Sequence, residues 1–270
     1  MNTGLLKKGC AVAGAIISAI FMVVPEEAFK CGFIDCILSD TAIIVTNRVI
    51  ICIVILALSL IGCYLYRCLR CSVKINNKTF SVKVEYKNLF SQKKGKIVIN
   101  FDECFNTNVG DKTEDIKPES ICGQYLTRNA NLDIQAIINN AGVQPSGVSK
   151  FNSKNAYTSG TIIPNGDYLL MSFAKLDEKG RGNLTYEEYL DCLNVLWEQI
   201  DCYHGTDDVY IPILGSGITR LGKDLSQQEL LDIMIASYSV SPYKMKNPNI
   251  LHIVCRRQGG FSLNDVFGVE

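Results

Sequence analysis

The sequence contains few residues that could act as catalytic bases. His204 and His252 are the only two histidines in 270 residues, and neither belongs to a recognisable set of nucleophile, base and orienting acid. His204 directly follows a predicted helix and His252 lies in a predicted buried strand, so both are expected to have structural roles. Hydrolytic catalysis is therefore not indicated, and we predict that the protein is not an enzyme and has no catalytic residues.

The chain also lacks an excess of charge of either sign. It has 27 Lys and Arg residues against 27 Asp and Glu residues. Proteins that bind nucleic acid usually carry a clear basic excess, so no nucleic-acid partner is predicted. The Walker phosphate-binding pattern and the glycine fingerprint of dinucleotide-binding proteins are both absent from the sequence.

A metal-binding pattern is missing, although the chain has twelve cysteines. Cys68 and Cys71 form a C-x-x-C pair, but a zinc site would need two further ligands at matching spacing. The segment Asp177–Glu188 resembles an EF-hand loop, yet Lys179 and Arg181 stand at positions where calcium needs oxygen ligands. We therefore predict neither a metal site nor a resident cofactor, and we interpret the segment as a strand-to-helix loop.

Two uncharged apolar runs are present near the N-terminus, Gly9 to Val24 and Val49 to Tyr66. A membrane-spanning helix needs roughly 20 apolar residues, and the first run approaches that length when Leu5 and Leu6 join it. The alternatives are a cleaved signal peptide and a pair of buried core helices. No small-residue cleavage pattern follows the first run, and the second run is apolar on every face. Residues 1–71 are therefore predicted to form a transmembrane helical hairpin.

The charges that flank these runs predict the orientation of the hairpin. Lys7 and Lys8 precede the first run, and Arg67 and Arg70 follow the second, whereas the connecting loop is more acidic. Positive side chains near membrane spans are retained on the cytoplasmic side. We therefore expect a two-pass protein with both termini in the cytoplasm.

The remaining residues, 72–270, alternate between strand and helix patterns. Strands are predicted over the segments Ser72–Tyr86, Gly95–Asn100, Thr158–Pro164, Tyr168–Leu176, Asp208–Leu214 and Asn249–Cys255. Helices are predicted over Ser120–Arg128, Leu132–Asn140, Thr185–Asp201 and Ser226–Val240. Such alternation predicts an α/β fold in which helices cover both faces of a sheet.

A glycine-rich turn follows the predicted strand Asp208–Leu214. In open α/β sheets, ligands bind beyond the carboxyl ends of the strands, and glycines there allow backbone N–H groups to approach a phosphate closely. A plain tight turn is the structural alternative. The functional hypothesis is a phosphate-binding loop made of Gly215, Ser216, Gly217, Ile218 and Arg220.

A second polar segment follows the predicted strand Gly95–Asn100. Asn and Asp in such loops often do no more than satisfy backbone groups. The functional alternative is that amides and carboxylates recognise a ribose or the edge of a base. Under that hypothesis the pocket is lined by Asn100, Asp102, Phe105, Thr107 and Asn108.

Taken together, these segments resemble a known family. The segment Asn100–Thr107 is similar to the Asn-Glu-x-Phe-Asp-Thr segment of a macro-like domain, with Asn106 in place of its Asp. Ser120–Tyr125 resembles its Ser-x-x-Gly-x-Phe, and Ile211–Gly222 resembles its Ile-Pro-Leu-x-Gly-x-Gly-x-x-Arg-Leu-Gly. Two apolar helices ahead of such a domain resemble the membrane effector of type II Thoeris antiphage systems.

The resemblance implies a macro-like mixed sheet flanked by helices over residues 72–270, tethered to the bacterial inner membrane. In that family the macro domain binds a histidine–ADP-ribose conjugate made by a partner TIR-domain enzyme. Binding drives homo-oligomerisation, and the helices then damage the lipid membrane. The expectation is thus a sensor of a nucleotide second messenger, and the alternatives are a membrane-anchored ADP-ribosyl hydrolase and a ligand-regulated channel.

Overall fold

The computed structural model of the chain divides into two compact units, Met1–Arg70 and Cys71–Glu270. It describes residues 3–30, 40–217, 219–221, 224–257 and 259–266. The first unit holds two long helices, and the second holds every strand that the structure describes.

The N-terminal unit contains helix α1, Thr3–Val23, and helix α2, Asp40–Leu69. The segments Leu6–Val23 and Thr41–Leu69 are long and apolar enough to cross a membrane, with mean hydropathies of 1.7 and 2.7. Each predicted apolar run therefore lies in a helix, except that Val24 follows the end of α1. Most of the apolar surface of α2 is exposed, and Leu58, for example, is 63% exposed.

The two helices of this unit contact each other through small residues of α1. A Cβ atom placed on Gly9 would lie 2.6 Å from Cδ2 of Leu60 in α2, so glycine permits this close approach. Ala13, one turn further on, is only 2% exposed. At the other end of the hairpin, Nδ2 of Asn47 donates a hydrogen bond of 2.9 Å to the carbonyl of Phe29.

The C-terminal unit is built on one mixed sheet of nine strands among the described residues. The described strands of this unit are β1 (Ser72–Asn76), β2 (Ser81–Tyr86), β3 (Lys96–Asp102), β4 (Gly147–Val148), β5 (Asn155–Ala156), β6 (Ile162–Asn165), β7 (Tyr168–Leu176), β8 (Gly182–Leu184), β9 (Val209–Pro212), β10 (Arg220–Leu221) and β11 (Ile250–Cys255). The strand order in the sheet is β1-β2-β11-β9-β3-β7-β8-β10, and β6 also pairs with β7. β4 and β5 form a separate two-stranded ribbon.

Helices cover both faces of this sheet. They are α3 (Ile121–Arg128), α4 (Ile134–Ala141), α5 (Tyr186–Tyr203) and α6 (Gln227–Val240). Tyr125 of α3 packs with Ile99 of β3 in one core cluster. Trp197 of α5 packs with Val98 of β3 in the other. Successive residues of β3 thus point to opposite faces, and the predicted α/β sheet with helices on both sides is confirmed.

Two details differ from the sequence-based expectation. The alternation over Ser72–Tyr86 belongs to two strands, because the chain reverses at Asn77, whose N–H bonds to the carbonyl of Phe80 at 2.9 Å. The strands β8 and β10 are only three and two residues long, too short to give a periodic pattern. The four predicted helices and the predicted hairpin between β6 and β7 are confirmed, with small shifts at their ends.

The strand directions place several strand ends at one edge of the sheet. The central strand β3 runs parallel to both β7 and β9. The carboxyl ends of these strands, at Asp102, Leu176 and Pro212, therefore meet at the same edge. The polar segments that follow β3 and β9 therefore begin at this edge of the sheet. In open α/β sheets, ligands bind beyond the carboxyl ends of the strands.

Candidate functional site

A cleft of about 400 Å³ opens at the carboxyl ends of β3 and β7. Four parts of the chain form its walls: the end of β3, the loop before α3, the end of β7 with the turn that follows it, and the segment after β9. The lining residues are Asn100, Phe101, Asp102, Asp111, Thr113, Glu114, Asp115, Ile116, Lys117, Ser120, Cys122, Phe173, Ala174, Leu176, Gly180, Arg181, Gly182 and Thr219. We call this the main cleft.

Asn100 and Asp102 both line the main cleft, but their hydrogen bonding differs. The Oδ1 atom of Asn100 is buried and has no hydrogen-bond partner among the described residues. The Asp102 carboxylate is already occupied. Its Oδ1 accepts from the backbone N–H groups of Cys104 (2.9 Å) and Asn106 (3.2 Å), and its Oδ2 accepts from Nδ2 of Asn106 (2.9 Å). Asp102 therefore shapes the loop, whereas Asn100 retains an unused acceptor.

The environment of Asp102 also explains why Asn stands at position 106. Burial raises the pKa of the Asp102 carboxyl, while the N–H donors of Asn106 and Cys104 act in the opposite direction. The amide of Asn106 donates to Asp102 and accepts a hydrogen bond of 2.5 Å from Nζ of Lys154. A carboxylate at position 106 could not donate and would repel Asp102. The departure from the family motif thus fits its local partners.

The other predicted residues of this loop lie outside the main cleft. Phe105 is 1% exposed and packs in the core against Phe101 and Tyr157, with ring centroids 5.7 and 5.4 Å away. Its φ of 53° is rare for a bulky side chain, so the aromatic contacts hold the turn in this conformation. Thr107 is half-buried and lines neither cleft, and Asn108 is exposed in a second, smaller one.

The smaller cleft has a volume of about 200 Å³ and adjoins the main cleft, because Glu114 and Asp115 line both. It combines side chains of both charges with amides and one aromatic ring. Its lining residues are Asn106, Asn108, Lys112, Glu114, Asp115, Phe151, Asn152 and Lys154. A ligand that carries both a positive and a negative group would find partners here.

The two glycines of the turn after β9 have different environments. Gly215 has a φ of +80°, and a Cβ atom there would lie 2.7 Å from Cδ1 of Leu221. The fold therefore requires glycine at position 215. Gly217 is exposed, and a Cβ atom there would meet nothing within 4 Å. Between them, Oγ of Ser216 donates to the carbonyl of Ile213 at 2.7 Å.

None of Gly215, Ser216 and Gly217 is among the lining residues of the two clefts, whereas Thr219 lines the main cleft. Ile218 and the side chain of Arg220 lie outside the described residues. The backbone of Arg220 is placed, because it pairs with Asn183 of β8. The predicted phosphate loop thus ends on the far side of β7 from β9, next to the turn that closes the main cleft.

The amino end of helix α3 forms another wall of the main cleft. Ser120 caps the helix, since its Oγ accepts a hydrogen bond of 3.0 Å from the N–H of Gly123. A Cβ atom on Gly123 would lie 2.2 Å from the carbonyl oxygen of Lys117. The Ser-x-x-Gly spacing therefore lets the preceding backbone fold over the first turn. First-turn N–H groups without a partner inside the helix can bind an anion.

The EF-hand-like turn also contributes to the main cleft, although the sequence pattern did not indicate this. Gly180 has a φ of +73°, and a Cβ atom there would lie 2.7 Å from Cβ of Glu114. Arg181 pairs with Asp177 at 2.6 Å, and its hydrogen bonds lower the pKa of Asp177 to about 2. The turn is therefore closed by an internal ion pair, and its residues 180–182 line the cleft. No three metal-ligating side chains of the described segments could hold a metal ion.

Neither histidine lies at the clefts. His252 is buried, with Nδ1 2.8 Å from Oε1 of Glu85, and it stacks on Tyr210 with a centroid distance of 4.2 Å. Nδ1 of His204 lies 3.4 Å from Nδ2 of Asn249. Both contacts are with strand or loop residues away from the cleft lining, in agreement with structural roles.

The chain also matches a protein-family model over the strands and helices that build the clefts. The model is described as the macro domain of the Thoeris protein ThsA, and it matches residues 82–256. The chain belongs to this family. The resemblance drawn from the three sequence motifs is thereby confirmed, and the observed mixed sheet is that of a ThsA-type macro domain.

Relatives of this chain differ in their sequence identity to it and in the fraction of the chain that they cover. The Thoeris protein ThsA of Bacillus amyloliquefaciens (strain Y2) is 32% identical over 163 residues, which is 56% of this chain and 54% of that protein. The chain thus spans about half the length of that relative. Among solved structures, a mutant macrodomain of Oceanobacillus iheyensis aligns with 11% identity and a TM-score of 0.46, over 73% of this chain and 92% of that one. The same macrodomain with ADP aligns with 12% identity and a TM-score of 0.44, over 72% and 90%.

Several lining residues of the ThsA-type domain had no signal in the sequence pattern. They come from the loop between Asp102 and Ile121 and from the turn Asp177–Gly182. The length of the first loop is a signal that could have found them. Loops longer than about 12–15 residues are uncommon in compact domains, and they are often functional.

Proposed function

We propose that this protein is an antiphage effector whose macro domain, residues 72–270, senses an ADP-ribose-derived second messenger such as histidine–ADP-ribose. The two N-terminal helices, within residues 1–71, span the inner membrane with both termini in the cytoplasm. Ligand binding drives homo-oligomerisation, and the assembled helices disrupt the membrane. The messenger comes from a TIR-domain enzyme. Membership of the ThsA family and the two long apolar helices support this proposal.

The observation that carries the ligand assignment is the unused acceptor of Asn100. Its Oδ1 is buried beside the main cleft without a hydrogen-bond partner among the described residues. Leaving a buried acceptor unsatisfied costs about 1–3 kcal/mol. A ribose hydroxyl that donates to this atom would recover that free energy on binding, so the site favours a ligand with hydroxyl groups.

We assign the remaining parts of the ligand from the backbone N–H groups and charged side chains that surround each part of the site. We assign the pyrophosphate to the glycine turn at Gly215–Gly217 and the first turn of α3, where backbone N–H groups offer hydrogen bonds to an anion. Ile218 and Arg220 belong to the same proposed loop. Asn108 lines the smaller cleft, and Thr107 directly precedes it in the chain. That cleft contains Lys112 and Lys154 together with two carboxylates, which suits a zwitterionic group attached to the ribose.

Sensing is favoured over hydrolysis because the carboxylate that ends β3 beside Asn100, that of Asp102, is already engaged in hydrogen bonds. The Asp102 carboxylate accepts three hydrogen bonds within its own loop, so activation of a water molecule would require that loop to open. The proposal therefore assigns no catalytic residue. The membrane-anchored ADP-ribosyl hydrolase is the competing function.

Ligand binding can switch the protein only if the assembled form binds the ligand more tightly than the unassembled form does. The proposal thus requires a differential affinity, and the helices act as the output of that equilibrium. A ligand-regulated channel that is constitutively open differs in its resting state, because it conducts without ligand. Liposomes that contain the full chain and leak before ligand is added would favour this channel.

Calorimetry of the full chain in detergent, with histidine–ADP-ribose and with ADP-ribose, tests the assignment. Replacing Asn100→Ala should weaken binding roughly tenfold, about 1.4 kcal/mol, because the ribose loses its acceptor. Asn140→Ala, on the exposed face of α4, is the matched control and should bind normally. Unaltered binding by the Asn100 variant would contradict the site, and no heat at millimolar ligand would contradict the sensor. Chromatography of the recovered ligand distinguishes sensing from turnover.

A further inference from the structure

Acidic residues are missing from two segments of the C-terminal unit that lie far apart in the sequence. Residues 71–84 and 233–264 contain no Asp or Glu, although the whole chain has 27 of them. The same segments contain seven basic residues, namely Lys74, Lys78, Lys83, Lys244, Lys246, Arg256 and Arg257. In a chain with no net charge, this is a marked local excess of positive charge.

The fold joins these two segments along one edge of the sheet. β1 pairs with β2, and β2 pairs with β11, which belongs to the second segment. At the hairpin turn, Nδ2 of Asn247 lies 3.4 Å from the carbonyls of Asn77 and Lys78, and Oδ1 of Asn247 accepts from Oγ of Ser81 at 2.9 Å. Lys78 and Lys246 are therefore held at the same end of this edge.

At the opposite end of the same edge, Nη2 of Arg257 lies 3.9 Å from Sγ of Cys71, the residue that precedes β1. The guanidinium also sits 5.0 Å from the centre of the Tyr86 ring. Positive charge thus runs along the full length of β1. We call the exposed members Lys74, Lys78, Lys246, Arg256 and Arg257 the basic edge.

The cations of the basic edge have few counter-charges in the protein. Of the seven basic residues, Lys83 alone has a carboxylate partner among the described residues, Glu85 at 2.8 Å. Lys74 stands directly opposite Lys83 in the strand register, and like charges in that position repel each other. An external anionic surface would relieve this repulsion.

Exposed apolar and aromatic groups accompany these charges. Val240, the last residue of α6, is 83% exposed, and Tyr243, in the loop between α6 and β11, is 42% exposed. Lys244 and Lys246 follow them in the sequence. Tyrosine with its polar tip, next to lysines, is typical of residues at the headgroup level of a membrane.

Chain length connects this surface to the membrane proposal. Only Arg70 and Cys71 separate the last residue of α2 from the first residue of β1. Three peptide steps extend at most roughly 11 Å. If α2 spans the bilayer, as the proposed function states, β1 begins within that distance of the point where the helix leaves it.

We propose that the basic edge binds the headgroups of anionic phospholipids on the cytoplasmic surface of the membrane. Basic residues next to a spanning helix are attracted to such lipids within about one Debye length, and salt weakens the attraction. The inference rests on the proposed membrane insertion of α2. It does not depend on the nucleotide ligand.

The test uses the full chain in lipid nanodiscs of phosphatidylcholine alone or mixed with phosphatidylglycerol. Amide hydrogen exchange is measured over residues 72–80 and 240–248 at low and high salt. The expected result is several-fold slower exchange in the phosphatidylglycerol discs, and this difference should disappear at high salt. Because this experiment compares two lipid compositions with the unaltered protein, its result does not depend on whether a variant folds.

A triple variant, Lys74→Gln, Lys78→Gln and Lys246→Gln, should lose this lipid-dependent protection. Its control is Lys93→Gln, Lys94→Gln and Lys150→Gln, which removes three exposed lysines elsewhere and should retain the protection. If the chain inserts into both disc types and exchange is equal in the two, the inference is wrong. The lysines would then serve only to keep the edge strand from pairing with another chain. Failure of the chain to insert at all would instead overturn the proposed membrane function.

Discussion

The two units of the molecule use the same apolar residue types in opposite ways. In the C-terminal unit, large apolar side chains such as Trp197 and Ile253 are fully buried, and packing alone explains why they are apolar. In the N-terminal unit, Leu58 and Ile53 are 63% and 61% exposed, and packing explains nothing about them. Apolar residues that no protein contact accounts for are expected where a helix faces lipid, as the proposed function states for α2.

Within the C-terminal unit, residues whose identity the fold explains can likewise be told apart from residues whose identity it does not explain. The fold requires glycine at position 215, where a side chain would collide with Leu221, but it makes no such demand at position 217. Likewise, the hydrogen bonds of Asp102 are satisfied within its loop, and Oδ1 of Asn100 is not. Residues that the fold does not explain are the candidates for function.

The largest expected effect is the difference in stability between a substitution in the C-terminal unit and one in the N-terminal unit. Trp197→Ala removes a fully buried ring that donates a hydrogen bond of 3.0 Å to Ser237, so it should destabilise the C-terminal unit by about 3–5 kcal/mol. Leu58→Ala, on the exposed face of α2, should change its stability by less than ~0.5 kcal/mol. Chemical denaturation of the full chain in detergent, followed by circular dichroism, measures both. Equal losses would mean that α2 belongs to a packed core.

Alanine substitutions of the two glycines in the turn after β9 should differ by an intermediate amount in their effect on stability. Gly215→Ala forces a side chain into a left-handed conformation and against Leu221, so it should destabilise the domain by roughly 1–2 kcal/mol. Gly217→Ala should leave stability within ~0.5 kcal/mol of the parent, yet weaken binding of histidine–ADP-ribose.

Denaturation and calorimetry on the same two variants decide this point. If Gly217→Ala binds the nucleotide normally, the exposed glycine is no part of a phosphate loop. If Gly215→Ala is as stable as the parent protein, the close approach to Leu221 does not constrain the turn.

The smallest effect concerns the pH dependence that Asp102 contributes. Because burial raises its pKa in the folded state, its stabilising contribution is complete below the unfolded pKa and is lost as pH rises through the folded pKa. The stability of the parent protein relative to Asp102→Asn should therefore increase on acidification from neutral pH to about pH 3. Denaturation curves of both proteins across that range provide the measurement. A relative stability that falls on acidification would show that the loop's N–H donors outweigh burial.

Much of the fold was predictable because its elements carry periodic patterns. Val98 alternates with Ile97 and Ile99 in β3, and Thr185 with Glu188 forms the expected capping box of α5. The hairpin turn at Asn77 was missed, since apolar residues continue their alternation on both sides of it.

The site was less predictable because its walls depend on contacts between distant loops. Polar residues such as Glu114 and Arg181 have no periodicity, and their approach depends on Gly180 fitting against Glu114. Phe105 was expected in the pocket as part of the segment that follows β3, but its left-handed backbone turns the ring into the core. Asn100, at the end of a strong strand pattern, lines the main cleft, and its role in ligand binding stays a prediction.

The strand order has a mechanical consequence. β1, which is separated from α2 by two residues, is joined to β3 through β2, β11 and β9 by successive backbone hydrogen-bonded pairings. Four strand spacings of about 4.8 Å make this path roughly 19 Å long. A sheet held in register behaves as a stiff plate rather than a flexible tether. A displacement at the start of β3, which pairs with β9 through Lys96 and Ile97, therefore reaches the start of β1 through paired strands alone.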